Sequence, residues 1–351
     1  MSKLTFIVCK KKDLPKTYLE QMFVMIRDNA LERLPKYNIP EIEYCQNEWF
    51  VPNQSGDEEL QVLALENDEL IGFGYLHWKT KYDNLNHAGF YVYIIPQKRR
   101  LVYGLETIRK TITMIPPQID VISVGVVENS ASEVFIKQFK KESSHVEVIN
   151  VANLSDFNTE EVTNFAASER ERIKFSGYEF IEIEDFNYLE KLNVEQYVRM
   201  IEEIWNDMPI EELSAEKEIL TVERYNEMID NLLKKGEKII GFVVIEAETK
   251  TPIGLSKVFI NKYQPEVATQ DDTGIISKHI GKGLGLAVKY QLLEKMLKET
   301  KVEYWLTSNA QSNVHMLRIN KQLKHKEICK KIIYEFKREE FDFFNDTHLN
   351  L

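Results

Sequence analysis

The stretch Thr273-Gly-Ile-Ile-Ser-Lys-His-Ile-Gly-Lys-Gly-Leu-Gly-Leu-Ala287 decides the fold, because it joins three kinds of local structure in direct succession. Its β-branched start predicts a strand, its alternating glycines a tight turn, and its Leu/Ala end a helix N-terminus. The first N–H groups of a helix lack intrahelical acceptors and carry partial positive charge. A glycine turn at that point lets a phosphate approach the bare backbone. The stretch therefore predicts a site for a phosphorylated anion.

Two common nucleotide-binding patterns fit this turn poorly. A P-loop requires Gly-x-x-x-x-Gly-Lys-Ser/Thr, and the dinucleotide fingerprint requires Gly-x-Gly-x-x-Gly at the first turn of a βαβ unit. Here Gly281, Gly283 and Gly285 alternate strictly. The spacing argues for a different phosphate ligand.

The alternating glycines resemble the acyl-CoA loop of the GNAT superfamily of N-acetyltransferases, whose usual form is Arg/Gln-x-x-Gly-x-Gly/Ala. Gly283 and Gly285 match the small positions, whereas Ile280 stands where Arg or Gln is usual. The resemblance implies acetyl-CoA as the cofactor. The residues that it implies in cofactor binding are Gly274, Ile275, Ile276, Gly281, Lys282, Gly283, Leu284, Gly285, Leu286, Asn309 and Asn313.

The order of elements after the loop also resembles this superfamily. Apolar positions from Leu286 to Leu297 predict a helix, residues 302 to 306 predict a strand, and an Asn-led helix follows. In the superfamily an Asn of this last helix lies seven residues before a Tyr that commonly protonates the leaving thiolate. Asn313 matches the Asn, and Asn320 occupies the Tyr position. Because an amide has no proton to give at useful pH, Asn320 marks the catalytic position without supplying the usual general acid.

Two carboxylates before the loop are candidates for the general base. Asp271 and Asp272 lie near the start of the predicted strand, where either could take a proton directly or through water. Side chains alternate along a strand, so we expect the two to point to opposite faces and only one to face the cleft. The alternative is that both cap or solvate the start of the strand.

Other residues remain open as site residues. His315 on the last helix is a second candidate base, although a lone helical His is more often structural or exposed. Three acidic residues lie in the region where family members shape the acceptor site. They could hold a cationic amine, and they are Asp207, Glu211 and Glu212.

The N-terminal half repeats the same plan. A strand over Ala88–Pro96 leads into the loop of residues 97–104 and an amphipathic helix. Gly104 lies 181 residues before Gly285, and Asn129 lies 180 residues before Asn309. Two landmarks with nearly equal offsets predict a duplicated domain.

The two copies are not equivalent. Arg100 and Val102 stand where the C-terminal loop has Gly281 and Gly283, and side chains there would crowd a pyrophosphate. Arg99 keeps the Arg/Gln position. We expect the N-terminal copy to be a degenerate domain that serves as a scaffold.

These observations together predict an α/β (α+β) chain of two tandem GNAT-like domains, each a mixed, mostly antiparallel sheet flanked by helices. The resemblance is to tandem proteins similar in architecture to mycothiol synthase. The predicted boundaries are a degenerate N-terminal domain at 1–155, a connecting helix at 156–176 with Asn158 or Thr159 as N-cap, and an acetyl-CoA-binding domain at 177–351.

Composition limits the partners and the compartment. The 351 residues carry a net charge of −11, which argues against nucleic acid and anionic membranes as partners. Positive potential near the loop would have to come from Lys278, Lys282 and Lys289. The 3 cysteines show no metal spacing and no even disulfide framework, which predicts no metal and a reducing compartment. We expect a cytoplasmic monomer or homodimer without a signal peptide.

The function implied by the resemblance is transfer of an acetyl group from acetyl-CoA to a primary amine of a small molecule by direct attack, in the C-terminal domain. The alternative is an acyl-CoA-binding regulatory pseudoenzyme without turnover, which Asn320 and Ile280 favour. A transferase that uses charged tRNA is a third possibility, and the acidic chain argues against it.

Overall fold

The computed structural model describes residues 3–34, 36–37, 41–100, 102–184 and 186–345. Leu101 of the predicted N-terminal loop and residues 1–2 and 346–351 of the predicted domains lie outside the described residues. The strands of the described chain are β1 (Leu4–Cys9), β2 (Asp57–Glu66), β3 (Glu69–Lys79), β4 (His87–Ile94), β5 (Val121–Val127), β6 (His145–Asn153), β7 (Tyr178–Ile183), β8 (Glu237–Glu246), β9 (Pro252–Asn261), β10 (Val267–Ile275), β11 (Tyr304–Ala310) and β12 (Lys326–Lys337). The helices are α1 (Lys16–Arg33), α2 (Ile42–Phe50), α3 (Tyr103–Ile112), α4 (Ala131–Ile136), α5 (Thr159–Phe175), α6 (Val194–Asn206), α7 (Val222–Lys235), α8 (Leu284–Glu299) and α9 (Val314–Gln322).

The chain divides into two compact units that do not follow chain order. Unit 1 comprises residues 1–146, 212–217 and 331–351, and unit 2 comprises 147–211 and 218–330. Each unit therefore contains a segment that the duplicated sequence pattern would place in the other copy.

Unit 1 is a sheet covered by helices on both faces. Its strands follow the order β1-β2-β3-β4-β5-β12, in which β4 and β5 run parallel and the other pairs run antiparallel. Phe23 and Trp49 of α1 and α2 pack on Leu63 at one face. Ile108 of α3 packs near Phe336 at the other. Two covered faces explain why these strands are apolar at most positions.

Unit 2 has the same layered plan. Its strands follow the order β6-β11-β10-β9-β8-β7, and among the described pairs only β10 and β11 run parallel. Tyr197 of α6 and Tyr225 of α7 pack on the face that carries Val243. Leu292 of α8 packs with Trp305 on the opposite face. The prediction of a mixed, mostly antiparallel sheet flanked by helices is confirmed.

The predicted duplication is visible as a repeated order of elements. The succession β4-α3-β5-α4 in unit 1 returns as β10-α8-β11-α9 in unit 2, with one parallel strand pair in each. Local capping fixes several helix starts: Asn158 accepts from Glu160 N–H and Glu161 N–H ahead of α5, and Thr221 accepts from Arg224 N–H ahead of α7. The predicted N-cap at Asn158 is confirmed.

The last strand gives a test of how unit 1 is held together. Phe336 is 1% exposed and packs in the core of unit 1, although it lies near the end of the chain. We expect Phe336→Ala to lower the free energy of unfolding of unit 1 by about 3–5 kcal/mol, because the truncation leaves a cavity. Urea denaturation followed by circular dichroism measures the change. The exposed neighbour Lys337→Ala is the control, and a loss below about 1 kcal/mol for Phe336→Ala would contradict this assignment.

Candidate functional site

Strands β10 and β11 separate after a short paired stretch. They pair only over Val267–Thr269 and Tyr304–Leu306, although β10 runs on to Ile275 and β11 to Ala310. Each stays paired on its outer side, β10 with β9 and β11 with β6. Backbone groups require hydrogen-bond partners, so the two inner edges offer an extended ligand a place to add as a strand.

A β-bulge shapes the β10 side of this opening. Gln270 lies opposite Val258 and Thr273 lies opposite Ser256, so Asp271 and Asp272 together oppose Lys257. Two residues against one is the definition of a bulge, and bulges bend a strand and redirect its side chains. The Gln270 side chain holds the bulge, because its Nε2 donates to Lys257 O at 2.6 Å and to Asp272 O at 3.2 Å.

The two candidate carboxylates meet at one ammonium group. Lys257 Nζ lies 2.9 Å from Asp271 Oδ2 and 3.3 Å from Asp272 Oδ2. The prediction that alternation sends the two side chains to opposite faces is wrong, because the bulge inserts an extra residue and breaks the alternation. Their exposure still differs: 29% of the Asp271 side chain is exposed, against 8% for Asp272. Solvent therefore reaches Asp271 more readily.

Lys257 is a residue that the sequence reasoning missed. It is 2% exposed, and its Nζ lies 5.7 Å from the centre of the Tyr225 ring. A lysine inside the mostly apolar strand Pro252–Asn261 was the available signal, because a buried charge requires a partner. The sequence could not name that partner without the register of β10 against β9.

The environment of Asp271 favours its protonated form. Desolvation by the surrounding protein raises the pKa of the Asp271 carboxyl to about 6, the nearby Lys257 ammonium opposes this shift, and the Asp272 carboxylate adds to it. A carboxylate with this pKa can accept a proton and release it again near neutral pH.

The last turn of α6 and the segment that follows it border the opening through three hydrogen bonds. These bonds connect this region to β10, to the turn after β10 and to the turn after β11. The pairs are Trp205 Nε1 to Asp272 Oδ1 at 2.8 Å, Ser277 Oγ to Asp207 Oδ2 at 2.6 Å and Ser312 N to Glu211 Oε1 at 3.1 Å. Asp207 and Glu211 thus help to fix this segment. Glu212 belongs to unit 1, where its N–H donates to Ser144 O.

The glycine turn leaves a row of backbone donors without acceptors. In the part of the chain that the structure describes, no protein atom accepts from the N–H groups of residues 281 to 286. Gly283 is the N-cap of α8, and no side chain caps this helix start. Six consecutive unpaired donors at the positive end of a helix are a feature that this turn shares with phosphate-binding turns.

Backbone geometry explains two of the three alternating glycines. Gly281 and Gly283 have φ angles of +85° and +74°, which L side chains rarely adopt. Gly285 has ordinary helical backbone, and a Cβ there would meet only Ile319 Cδ1 at 3.7 Å and Ile275 Cγ1 at 4.0 Å. Neither strain nor crowding within the described chain requires glycine at 285.

The side chains of this turn point away from the row of donors. Leu284 is buried and Leu286 is partly buried against the core of unit 2. Lys282 Nζ donates to Tyr178 OH and lies 5.1 Å from the centre of that ring. Arg172 Nη1 of α5 donates to Lys282 O at 3.1 Å and fixes the turn from outside. The backbone, and not these side chains, is what the turn offers a ligand.

Three predicted cofactor-binding residues lie at the end of β10 and just after it, and the N–H group of one of them faces the opening. Ile276 N–H donates to Ile253 O at 2.9 Å, so it faces β9. Peptide groups alternate in direction along a strand, which turns the Gly274 peptide toward β9 as well and the Ile275 N–H toward the opening. Of these three residues, Ile275 is the one placed to donate to a ligand.

The three predicted asparagines of the C-terminal helix region have different roles in the structure. Asn313 Oδ1 caps α9 by accepting from Met316 N at 3.1 Å. Asn320 is 1% exposed, and its Nδ2 donates to Asn309 Oδ1 at 2.6 Å. Its Oδ1 accepts from Lys289 Nζ at 2.8 Å.

Lys289 is the second residue whose role the sequence misjudged. The sequence predicts that Lys289 supplies positive potential at the loop, but Lys289 is 0% exposed and lies inside unit 2. The spacing of apolar residues in α8 indicated that Lys289 is buried, because this position of the helix falls among core residues such as Val288 and Leu292.

Unit 1 contains a similar opening with different chemistry. Its parallel strands pair only over residues 87–90 and 121–124. Lys98 pairs with Glu66, and Arg99 Nη2 donates to both Glu32 oxygens at 2.9 and 2.8 Å. Arg100 takes the left-handed backbone that glycine has in unit 2, with φ at +58°. Carboxylates of the protein thus pair with Lys98 and Arg99 of this turn.

Solved structures share the complete fold of this chain. A tandem GNAT protein from the clavulanic acid biosynthesis pathway superposes with a TM-score of 0.70 at 14% identity, over 96% of this chain and 99% of that protein. A GCN5-related N-acetyltransferase from Sphaerobacter thermophilus superposes with a TM-score of 0.57 at 12% identity, over 95% of this chain and 96% of the other. The glucosamine N-acetyltransferase region of a fungal multi-domain GH3 β-N-acetylglucosaminidase gives 0.63 at 10% identity, over 96% of this chain and 38% of that one.

Identities at this level show the fold alone, and the chain has the tandem GNAT fold that the sequence predicted. No protein-family model and no curated protein matches the sequence. Among the described residues, no helix has both the length and the apolar content that crossing a membrane requires.

The raised pKa of Asp271 predicts a pH effect on stability. Its folded-state value of about 6 exceeds the ordinary 3.8, so the folded chain binds this proton more tightly than the unfolded chain. The contribution of this group to stability therefore falls as pH rises from about 4 to about 6. We expect the melting temperature of Asp271→Asn, relative to the original chain, to be higher at pH 7.5 than at pH 4.5. Asp230→Asn, at an exposed position of α7, is the control. An equal difference at both pH values would show that the Asp271 pKa is not raised.

Proposed function

We propose that unit 2 transfers an acetyl group from acetyl-CoA to a primary amine of a small molecule by direct attack. The observation that carries this proposal is the position of six unpaired N–H groups beside two diverging parallel strands. The first feature suits a pyrophosphate and the second suits an extended, amide-containing arm. The tandem GNAT fold supports acyl transfer as the reaction class, and fold alone does not define a substrate.

Acetyl-CoA fits the residues that line this region. The backbone of residues 281–286 would hold its pyrophosphate, and the Gly281 position has open space, since a Cβ there would meet nothing within 4 Å. Ile275 N–H and the inner edge of β11 would pair with its pantetheine arm. When bound, acetyl-CoA supplies an activated acetyl thioester.

The chain supplies a base and a donor for this transfer. Asp271 takes a proton from the amine, directly or through water, and Lys257 stabilises the carboxylate before the proton arrives. The carbonyl oxygen accepts a hydrogen bond from Ile275 N–H. A C–N bond forms, the C–S bond breaks, and its electron pair leaves with the sulfur. The amine proton remains on Asp271 until solvent removes it.

A second function is favoured by one specific observation. Asn320 stands at the position of the usual general acid, and both ends of its amide are engaged within the protein. A chain that binds acyl-CoA and responds to it without turnover would also need the turn and the opening. Turnover of any primary amine, measured as release of free thiol, separates the two functions.

The role of the turn in phosphate binding can be tested by adding a negative charge at Gly281, where the backbone has a positive φ. Asn and Asp both tolerate left-handed φ, so Gly281→Asn and Gly281→Asp should fold alike. We expect Gly281→Asp to weaken acetyl-CoA binding at least about tenfold relative to Gly281→Asn, because a carboxylate would repel the pyrophosphate. Isothermal titration calorimetry measures both affinities. Equal affinities would place the phosphates elsewhere.

The base can be tested by removing its proton-accepting ability. We expect Asp271→Asn to lower kcat for a primary amine by about 10²–10⁴-fold, since this is the usual contribution of a general base. The dissociation constant for acetyl-CoA should not change. Asp230→Asn again serves as the matched control. Full activity in Asp271→Asn would assign the base to another group.

A further inference from the structure

Lys289 is a buried cation that has no part in the proposed acetyl transfer. Its Nζ donates to Asn320 Oδ1 at 2.8 Å and lies 5.1 Å from the centre of the Trp305 ring. No carboxylate of the described chain pairs with it, and Lys289 is 0% exposed. Burying an ammonium without a carboxylate is costly, so this position calls for a reason other than packing.

The ammonium fixes the direction of a hydrogen-bond relay. A protonated lysine only donates, so the oxygen of the Asn320 amide must face it. The Asn320 nitrogen then faces outward and donates to Asn309 Oδ1 at 2.6 Å. This in turn leaves the Nδ2 group of Asn309 as the far end of the relay, with its donors directed away from Asn320.

The relay ends at the opening between β10 and β11. Asn309 lies on β11, three positions beyond Leu306, the last residue of that strand that pairs with β10. Asn320 is buried, whereas Asn309 is partly exposed. Asn309 thus places a partly exposed amide on β11 beside the opening in which the proposed thioester would lie.

We propose that Lys289, acting through Asn320, sets Asn309 as a hydrogen-bond donor to the sulfur that leaves the thioester. This inference rests on the proposed function of unit 2. When the C–S bond breaks, its electron pair stays on sulfur, and the thiolate accepts from Asn309 Nδ2–H. No proton leaves the amide, and the thiolate gains its proton from solvent after release. Lys289 and Asn320 are positioning residues in this scheme.

The surroundings of Lys289 set the pH range in which the relay keeps its direction. Burial lowers the pKa of Lys289 to about 7. His325 is the titratable neighbour, and burial together with Lys289 lowers its pKa to about 3, so it is neutral. The other groups that face Lys289 are Trp305 of β11 and Asn320 of α9. A neutral amine can also accept, so the relay loses its fixed direction above neutral pH.

A purely structural role for Lys289 makes a different prediction. Methionine has nearly the same length, and replacing a buried charge with an apolar group is often neutral or stabilising. If Lys289 holds α8 and α9 together, Lys289→Met should lower the melting temperature. If Lys289 directs the relay, the variant should fold at least as stably and lose function.

The deciding measurement is kcat for a primary amine, followed as release of free thiol, at about pH 6, where Lys289 carries its proton, and at about pH 8.5, where it is neutral. We expect Lys289→Met to lower kcat about tenfold relative to the original chain at the lower pH, the scale of a hydrogen bond to a charged acceptor, with KM for acetyl-CoA unchanged. At the higher pH the two chains should have nearly equal kcat. Asn320→Leu should have the same effect, and the double variant should be no worse than either single one, because the relay acts as a unit. Lys298→Met removes an exposed lysine of the same helix and is the control.

The outcomes separate the relay from the proposed function. An equal kcat in the original chain and in Lys289→Met at about pH 6, with acetyl-CoA bound in both, would overturn the relay and leave acetyl transfer standing. Additive effects of Lys289→Met and Asn320→Leu would also overturn it. A chain that binds no CoA in calorimetry would overturn the proposed function, and the relay with it.

Discussion

The site of unit 2 depends on the bulge that sets Asp271 and Asp272 against Lys257. A regular strand would have sent the two carboxylates apart, and Lys257 would be a buried charge with one partner at most. The bulge also marks where β10 stops following β11, since their pairing ends at Thr269. The one inserted residue thus both opens the sheet and brings Asp271, Asp272 and Lys257 together. The Gln270 side chain stabilises the bulge by donating to the carbonyl oxygens of Lys257 and Asp272.

Among the buried lysines described in unit 2, Lys257 and Lys289 have surroundings that differ in an informative way. Lys257 has two carboxylates within 3.3 Å, which offsets the cost of removing it from water. Lys289 has an amide oxygen and an aromatic ring, and burial accordingly lowers its pKa to about 7. Charges that a fold keeps without full compensation are more often found at functional positions than in structural cores.

The comparison of the two units shows how one scaffold carries different electrostatics. Both have a parallel strand pair that separates and a turn that leads into a helix. In unit 1, Lys98 and Arg99 of that turn pair with Glu66 and Glu32, whereas the turn in unit 2 presents bare N–H groups. The expectation that the N-terminal copy is a scaffold stays a prediction, and these ion pairs give it a physical reason.

Local sequence determined the elements of this protein, because periodicity and caps act over a few residues. It predicted the strand, turn and helix around Gly281 to Gly285, the N-cap at Asn158 and the duplication. Tertiary structure alone decided the rest. The bulge depends on the register between two strands, the Lys289 relay joins residues 31 and 11 positions apart, and the last strand completes the sheet of unit 1. Each of these is a contact between distant residues, which a local pattern does not encode.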